Sequence, residues 1–220
     1  MLLALRSRSG SALAAILMLG ACTYPPKAAP VVAVDLPAEP EWRSIASDVD
    51  SDRIARVGAG WSVALAEARK RGFAHAIEAE GELLKPNAAL PRPAPTPGSY
   101  RCRVIKLGTQ SGRGAAFDAY KPFFCYVEVE GPLLTIVKQT GSQRPAGRLY
   151  PDSDERRLIF LGTLALGSED APLAYGERAD RDMAGIMERV APFRFRLVIP
   201  WPRYQSKLDV IELVPVVPPN

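Results

Sequence analysis

Proline placement constrains this chain more than any other feature. Ten of its 21 prolines fall in two short runs, Pro25 to Pro40 and Pro86 to Pro97, and none lies between Pro40 and Pro86. Proline lacks the N–H that helices and sheet ladders use, so neither run suits a packed regular element. The chain therefore divides into a proline-rich tether over 22–40, a segment 41–85 free to be helical, a proline-rich connector over 86–98, a body over 99–215 and a tail over 216–220. A hydrophobic share of 47% with 24% charged residues is that of a globular chain and excludes disorder throughout.

Helical patterning begins near Ser51. Ile54, Val57, Trp61, Ala64, Leu65 and Ala68 recur at steps of three and four, which makes one apolar stripe. Asp48, Asp50 and Asp52 crowd the start, and Arg69, Lys70 and Arg71 crowd the end, as the helix dipole favours. Gly72 stops this helix, and a shorter one is predicted over Phe73–Leu84 before Pro86. The two predict an antiparallel hairpin, with Trp61 as a packing residue. Beyond 98 the texture changes to short β-branched and aromatic runs separated by Gly, Pro and Asp. Strands are predicted near 99–107, 122–130, 132–139, 145–150, 156–164, 183–190, 193–199 and 206–214, with 183–190 open to a short helix instead. Strands without intervening helices predict an antiparallel meander, and closure into a barrel would remove its exposed edges. The predicted fold class is α+β: an N-terminal helical hairpin packed on an antiparallel β-barrel or strongly curved β-meander.

Residues 1–21 read as an export signal. Arg6 and Arg8 form the positive region and Ser11 to Leu19 the apolar core, too short to span a membrane. Leu19-Gly20-Ala21-Cys22 resembles a bacterial lipobox, which implies cleavage before Cys22, lipid on its sulfur and attachment to a membrane. Thr23 rather than Asp after that cysteine points to the outer membrane, facing the periplasm. Loss of Arg6 and Arg8 lowers the formal charge from +4 to +2, which excludes an electrostatic footprint for nucleic acid. With Cys22 taken, Cys102 and Cys125 remain as an even pair in an oxidising compartment. Period-2 alternation puts each on the apolar face of its strand, and a structural disulfide between them is expected.

Chemical motifs are sparse. His75, the single histidine, sits in the second predicted helix and reads as a surface residue. No nucleophile motif, cofactor fingerprint or metal-ligand spacing is present, so a cofactor, a metal site and catalysis are not expected. Asp152, Asp154 and Glu155 read as a solvated turn. Thr140 to Arg148 (TGSQRPAGR) is the candidate binding loop. Ser142, Gln143, Arg144 and Arg148 offer a hydroxyl, an amide and two guanidinium groups to an anionic or sugar-like group, whereas the plain alternative is a strand connection whose Gln143 and Arg144 cap backbone. Arg101, Arg103, Arg194 and Arg196 would make an outward basic strip if their strands are neighbours.

Tyr100–Gly108 (YRCRVIKLG), Thr140–Asp152, Arg156–Gly167 (RRLIFLGTLALG), Ala184–Val190 and Phe195–Pro215 together are similar to a family of alphaproteobacterial, largely sphingomonad, exported proteins that form a domain of unknown function. The resemblance runs from about Trp42 to Pro215. It implies a secreted or lipid-anchored envelope protein and carries no activity, ligand or catalytic residue. Gly98-Ser99-Tyr100 resembles the opening Gly-x-Trp of lipocalin-like barrels, with Tyr in place of Trp. The expected function is a non-catalytic binding module for an envelope protein or glycan partner. The alternative is a lipocalin-like carrier with a small molecule in the barrel, and the third reading is a carboxylate-based envelope hydrolase.

Overall fold

The computed structural model describes residues 41–167 and 169–216. The signal peptide, the tether and Cys22 lie outside those residues, as do positions 217–220 of the tail. Nine antiparallel strands follow the helical segment: β1 Gly98–Leu107, β2 Phe117–Ala119, β3 Phe123–Glu130, β4 Leu133–Lys138, β5 Gln143–Pro151, β6 Arg157–Leu166, β7 Asp182–Ala191, β8 Arg194–Pro200 and β9 Leu208–Pro215. Eight of them pair in the order β1-β3-β4-β5-β6-β7-β8-β9, and β9 returns to β1 from Tyr100↔Pro215 to Leu107↔Leu208, so the sheet closes into a barrel. The protein is α+β. Residues 183–190, open between strand and helix in the sequence, are strand.

β1 and β3 pair only from Gly98↔Val127 to Cys102↔Phe123. Beyond that point β2 takes over the edge of β1, from Ile105↔Ala119 to Leu107↔Phe117, and the barrel flares. The disulfide Cys102–Cys125 lies inside the barrel where the two strands begin to part, with its Cα atoms 6.0 Å apart. Closing a loop of this length contributes about 3 kcal/mol in the chain-entropy account. Replacing both cysteines with serine is expected to lower the unfolding free energy by about that much, and a denaturant titration would read it. An unchanged midpoint would show that the mouth strands are held by pairing alone.

Inward side chains fill one end of the barrel. Tyr100, Leu149, Phe160, Met187, Phe195 and Leu213 are buried there, with Tyr100 and Phe195 edge to face at 6.3 Å. Gly147 and Gly162 are paired directly and face inward, and the Phe160 ring lies across both. The filled end also receives both ends of the described chain: Trp42 donates its indole N–H to Asp152 just after β5, and Pro215 pairs with Tyr100.

The helices cover the outer face of β6 to β9 and of β1. Among the described residues there are four α-helices: α1 Trp42–Ile45, α2 Asp48–Ala55, α3 Val57–Lys70 and α4 Ala74–Ala79. The long helix expected from Ser51 is therefore two, jointed at Arg56, and Ser47 caps α2 by accepting from the Asp50 N–H. The joint seats Gly60 against the barrel, where an added Cβ would stand 3.4 Å from Leu208. Trp61, Ala64, Leu65 and Ala68 bury the α3 stripe on Ile105, Leu107, Val198, Leu208 and Val210. The second arm of the predicted hairpin is α4 followed by a 3-10 turn, Gly81–Leu84. Gly81 sits at φ +58, a left-handed conformation that breaks the helix there. Pro86 to Pro97 runs against the barrel: Leu90 bridges to Arg189, and Pro93 and Pro95 are buried.

Five strands carry a row of directly opposed charges on this covered face. Arg157↔Glu188, Glu188↔Arg196, Arg196↔Glu212 and Glu212↔Arg103 are successive register pairs, so the signs alternate from strand to strand. Asp152 extends the row at one end through Arg157 at 2.7 Å, and Glu80 extends it at the other through Arg103. Arg196, with no exposed surface, donates to Glu188 at 2.7 Å and to the carbonyls of Leu83, Lys85 and Pro86. The basic strip anticipated from Arg101, Arg103, Arg194 and Arg196 is thus corrected: Arg103 and Arg194 share Glu212, Arg196 is buried and only Arg101 is exposed.

Candidate functional site

The flared end of the barrel holds a cavity of about 580 Å³, within the range of small-molecule sites. Its inner wall is apolar, from Val104, Phe123, Leu164, Met183, Ile199 and Ile211. Its rim is made by the β2–β3 connection at Tyr120 and Lys121, by Thr140 to Gln143, by Asp180 to Asp182 and by the β8–β9 loop at Trp201 to Gln205. Arg53 of α2 reaches the same rim. The β8–β9 loop is tied back at both ends, since Trp201 N–H donates to the Lys207 carbonyl and Gln110 N–H to that of Gln205. Trp201 and Gln205 hold it at positive φ, 51° and 73°.

Charge enters the cavity at the last inward position of three strands. On β1 the inward run is Tyr100, Cys102, Val104 and Lys106, on β4 it is Leu134, Ile136 and Lys138, and on β9 it is Asp209, Ile211 and Leu213. Lys106 reaches Asp209 at 2.8 Å, and Ser206 donates to the other carboxylate oxygen. Lys138 has no carboxylate within 4 Å among the described residues. Its ammonium stands 4.2 Å from the centre of the Phe123 ring. Burial lowers its pKa, and the positive charges of Lys106 and Arg144 lower it further.

The acids at the rim are otherwise engaged. Asp182 accepts from the Gly176 N–H at 3.0 Å, and burial raises its carboxyl above the usual range against that bond. Asp180 is paired with Arg178, whose hydrogen bonds keep its carboxyl low. Among the described residues no group of His, Cys, Asp and Glu is placed to hold a metal ion, and no helix is long and apolar enough to cross a membrane.

A family profile described as a domain of unknown function, DUF4893, matches residues 42–213, most of the chain and nearly all of its described part. The protein belongs to the DUF4893 family. No curated protein matches it, and no solved structure does.

The DUF4893 barrel divides the residues singled out from sequence. Ser142 and Gln143 line the cavity rim. Arg144 instead donates to the carbonyls of Gly141, Gly167 and Glu169, which ties the β4–β5 turn to the β6–β7 connection. Arg148 points outward and forms a two-bond pair with Glu130 on β3. His75 is exposed on α4. The loop of Asp152, Asp154 and Glu155 is not wholly a solvated turn, because the Asp152 side chain is fully buried between Trp42 and Arg157. Lys106, Lys138 and Asp209, the charged groups at the inward strand positions of the DUF4893 cavity, are not among the residues singled out from sequence. Their signal was a charged residue in phase with the inward apolar positions of its strand, at the strand end.

Proposed function

We propose that this DUF4893 protein is a carrier that takes a small molecule into the open end of its barrel. The observation that carries the reading is the half-filled barrel: large side chains occupy one end, and at the other the flare between β1 and β3 opens an apolar-walled cavity of about 580 Å³. A carrier is favoured over a binding module that works through the 140–148 loop, because Arg144 and Arg148 are already bonded to carbonyls and to Glu130. We further propose that the carrier works in the cell envelope, held by lipid at Cys22, in keeping with the lipobox-like Leu19-Gly20-Ala21-Cys22, the disulfide and the exported sphingomonad proteins its motifs resemble.

Native mass spectrometry of protein exported to an oxidising compartment and purified without detergent tests the reading. The expected result is an added mass that disappears on denaturation. N-phenyl-1-naphthylamine, a neutral apolar dye, should brighten with the emptied protein, and Met183→Trp, which narrows the cavity at its inner wall, should weaken both signals. A bare mass with no dye response would remove the carrier reading.

A further inference from the structure

Resting on the carrier reading, we propose that the ligand is an amphipathic monoanion of fatty-carboxylate type, its tail in the barrel and its head group on Lys138. The cavity separates its chemistry along the barrel axis, with Val104, Leu164, Met183, Ile199 and Ile211 on the inner wall and the charged groups at the last inward positions of β1, β4 and β9. A tail therefore points inward and a head group outward. The sign of that head group follows from which charges are already matched. Asp209 is shared by Lys106 and Ser206, Asp180 is held by Arg178 and Asp182 accepts the Gly176 N–H. Asp209 and Asp180 already hold a cation, and Asp182, the one cavity carboxylate without one among the described residues, is buried and hydrogen-bonded to the Gly176 N–H. Lys138 is the complement: its ammonium lies beside the Phe123 ring and the turn at Gly141 with no carboxylate partner among the described residues, and a flexible stem lets it follow a head group. Lys121 and Arg203 on the rim, neither paired with a carboxylate among the described residues, give the mouth the same sign. One inward cation without a counter-ion matches one negative charge, and a carboxylate accepts its charge-assisted hydrogen bond.

Calorimetric titration of the delipidated full chain with dodecanoate, dodecan-1-ol and dodecyltrimethylammonium, all below their aggregation concentrations, separates tail from head. The expected order is dodecanoate tightest, the alcohol about tenfold weaker and the ammonium weaker still. Lys138→Gln should bring dodecanoate down to the alcohol and leave the alcohol unchanged, while Lys138→Arg should keep the preference. Equal binding of dodecanoate and dodecanol by the unaltered protein overturns the head-group assignment and leaves the carrier reading standing. So does loss of all three ligands together in Lys138→Gln, since removal of a charge should not touch the alcohol. Binding of none of the three by the unaltered protein overturns both readings.

Discussion

Replacing Arg196 with methionine is expected to lower the unfolding free energy by about 3–5 kcal/mol, because it leaves Glu188 charged and buried without its partner. Burial already works against both ions of this pair, raising the Glu188 carboxyl and lowering the Arg196 guanidinium. The loss has a second part. Arg196 also donates to the carbonyls of Leu83, Lys85 and Pro86, the stretch where Gly81 has broken the helix and no regular ladder takes them up. The double change Arg196→Met with Glu188→Leu should therefore recover the ion-pair share and leave the carbonyl share missing. Denaturant midpoints of the three proteins measure this directly. Full recovery in the double variant would show that the carbonyls find water or another donor, and that Arg196 matters to the barrel rather than to the helical segment.

The second large effect is expected at Gly162. A methyl group there would fall on the Ala146 carbonyl and 2.6 Å from the Phe160 ring, in a place where the opposing residue is Gly147 and the strands approach closely. Gly162→Ala should destabilise the protein by about 3 kcal/mol, the upper part of the usual overpacking range, because the obstacle is backbone and cannot rotate away. Gly58→Ala is the internal comparison. That glycine is exposed in α3 with nothing within 4 Å of the added atom, so the same change should stabilise by about 1 kcal/mol through helix propensity. Thermal melts of the two variants should move in opposite directions. A neutral Gly162→Ala would mean that the β5–β6 pair can separate without loss.

The strands were legible because their signal is local. Alternation in Phe195, Leu197 and Ile199 or in Tyr100, Cys102 and Val104 reports a buried face without reference to partners, and those residues do face inward. β2 left no such trace, being three residues in a polar, glycine-rich stretch and existing because β1 has a free edge beyond Cys102. The joint at Arg56 was equally hidden, since the hydrophobic stripe continues through it. The charges failed for a physical reason. An arginine on the outward phase of a strand looks solvated until it is known what covers that face, and here α4 and the turn after it do. The cavity needed the converse knowledge, that Lys106, Lys138 and Asp209 belong to the inward phase and end their strands at the same side.

Both ends of the described chain leave from the filled end of the barrel, and the opening lies at the other. A hold taken at residue 41 or at residue 216 therefore grips the barrel at the end away from the opening. On the carrier reading proposed above, a hold taken at those described ends would leave the mouth facing free solution, and ligand exchange rates should then be as they are for the unattached protein.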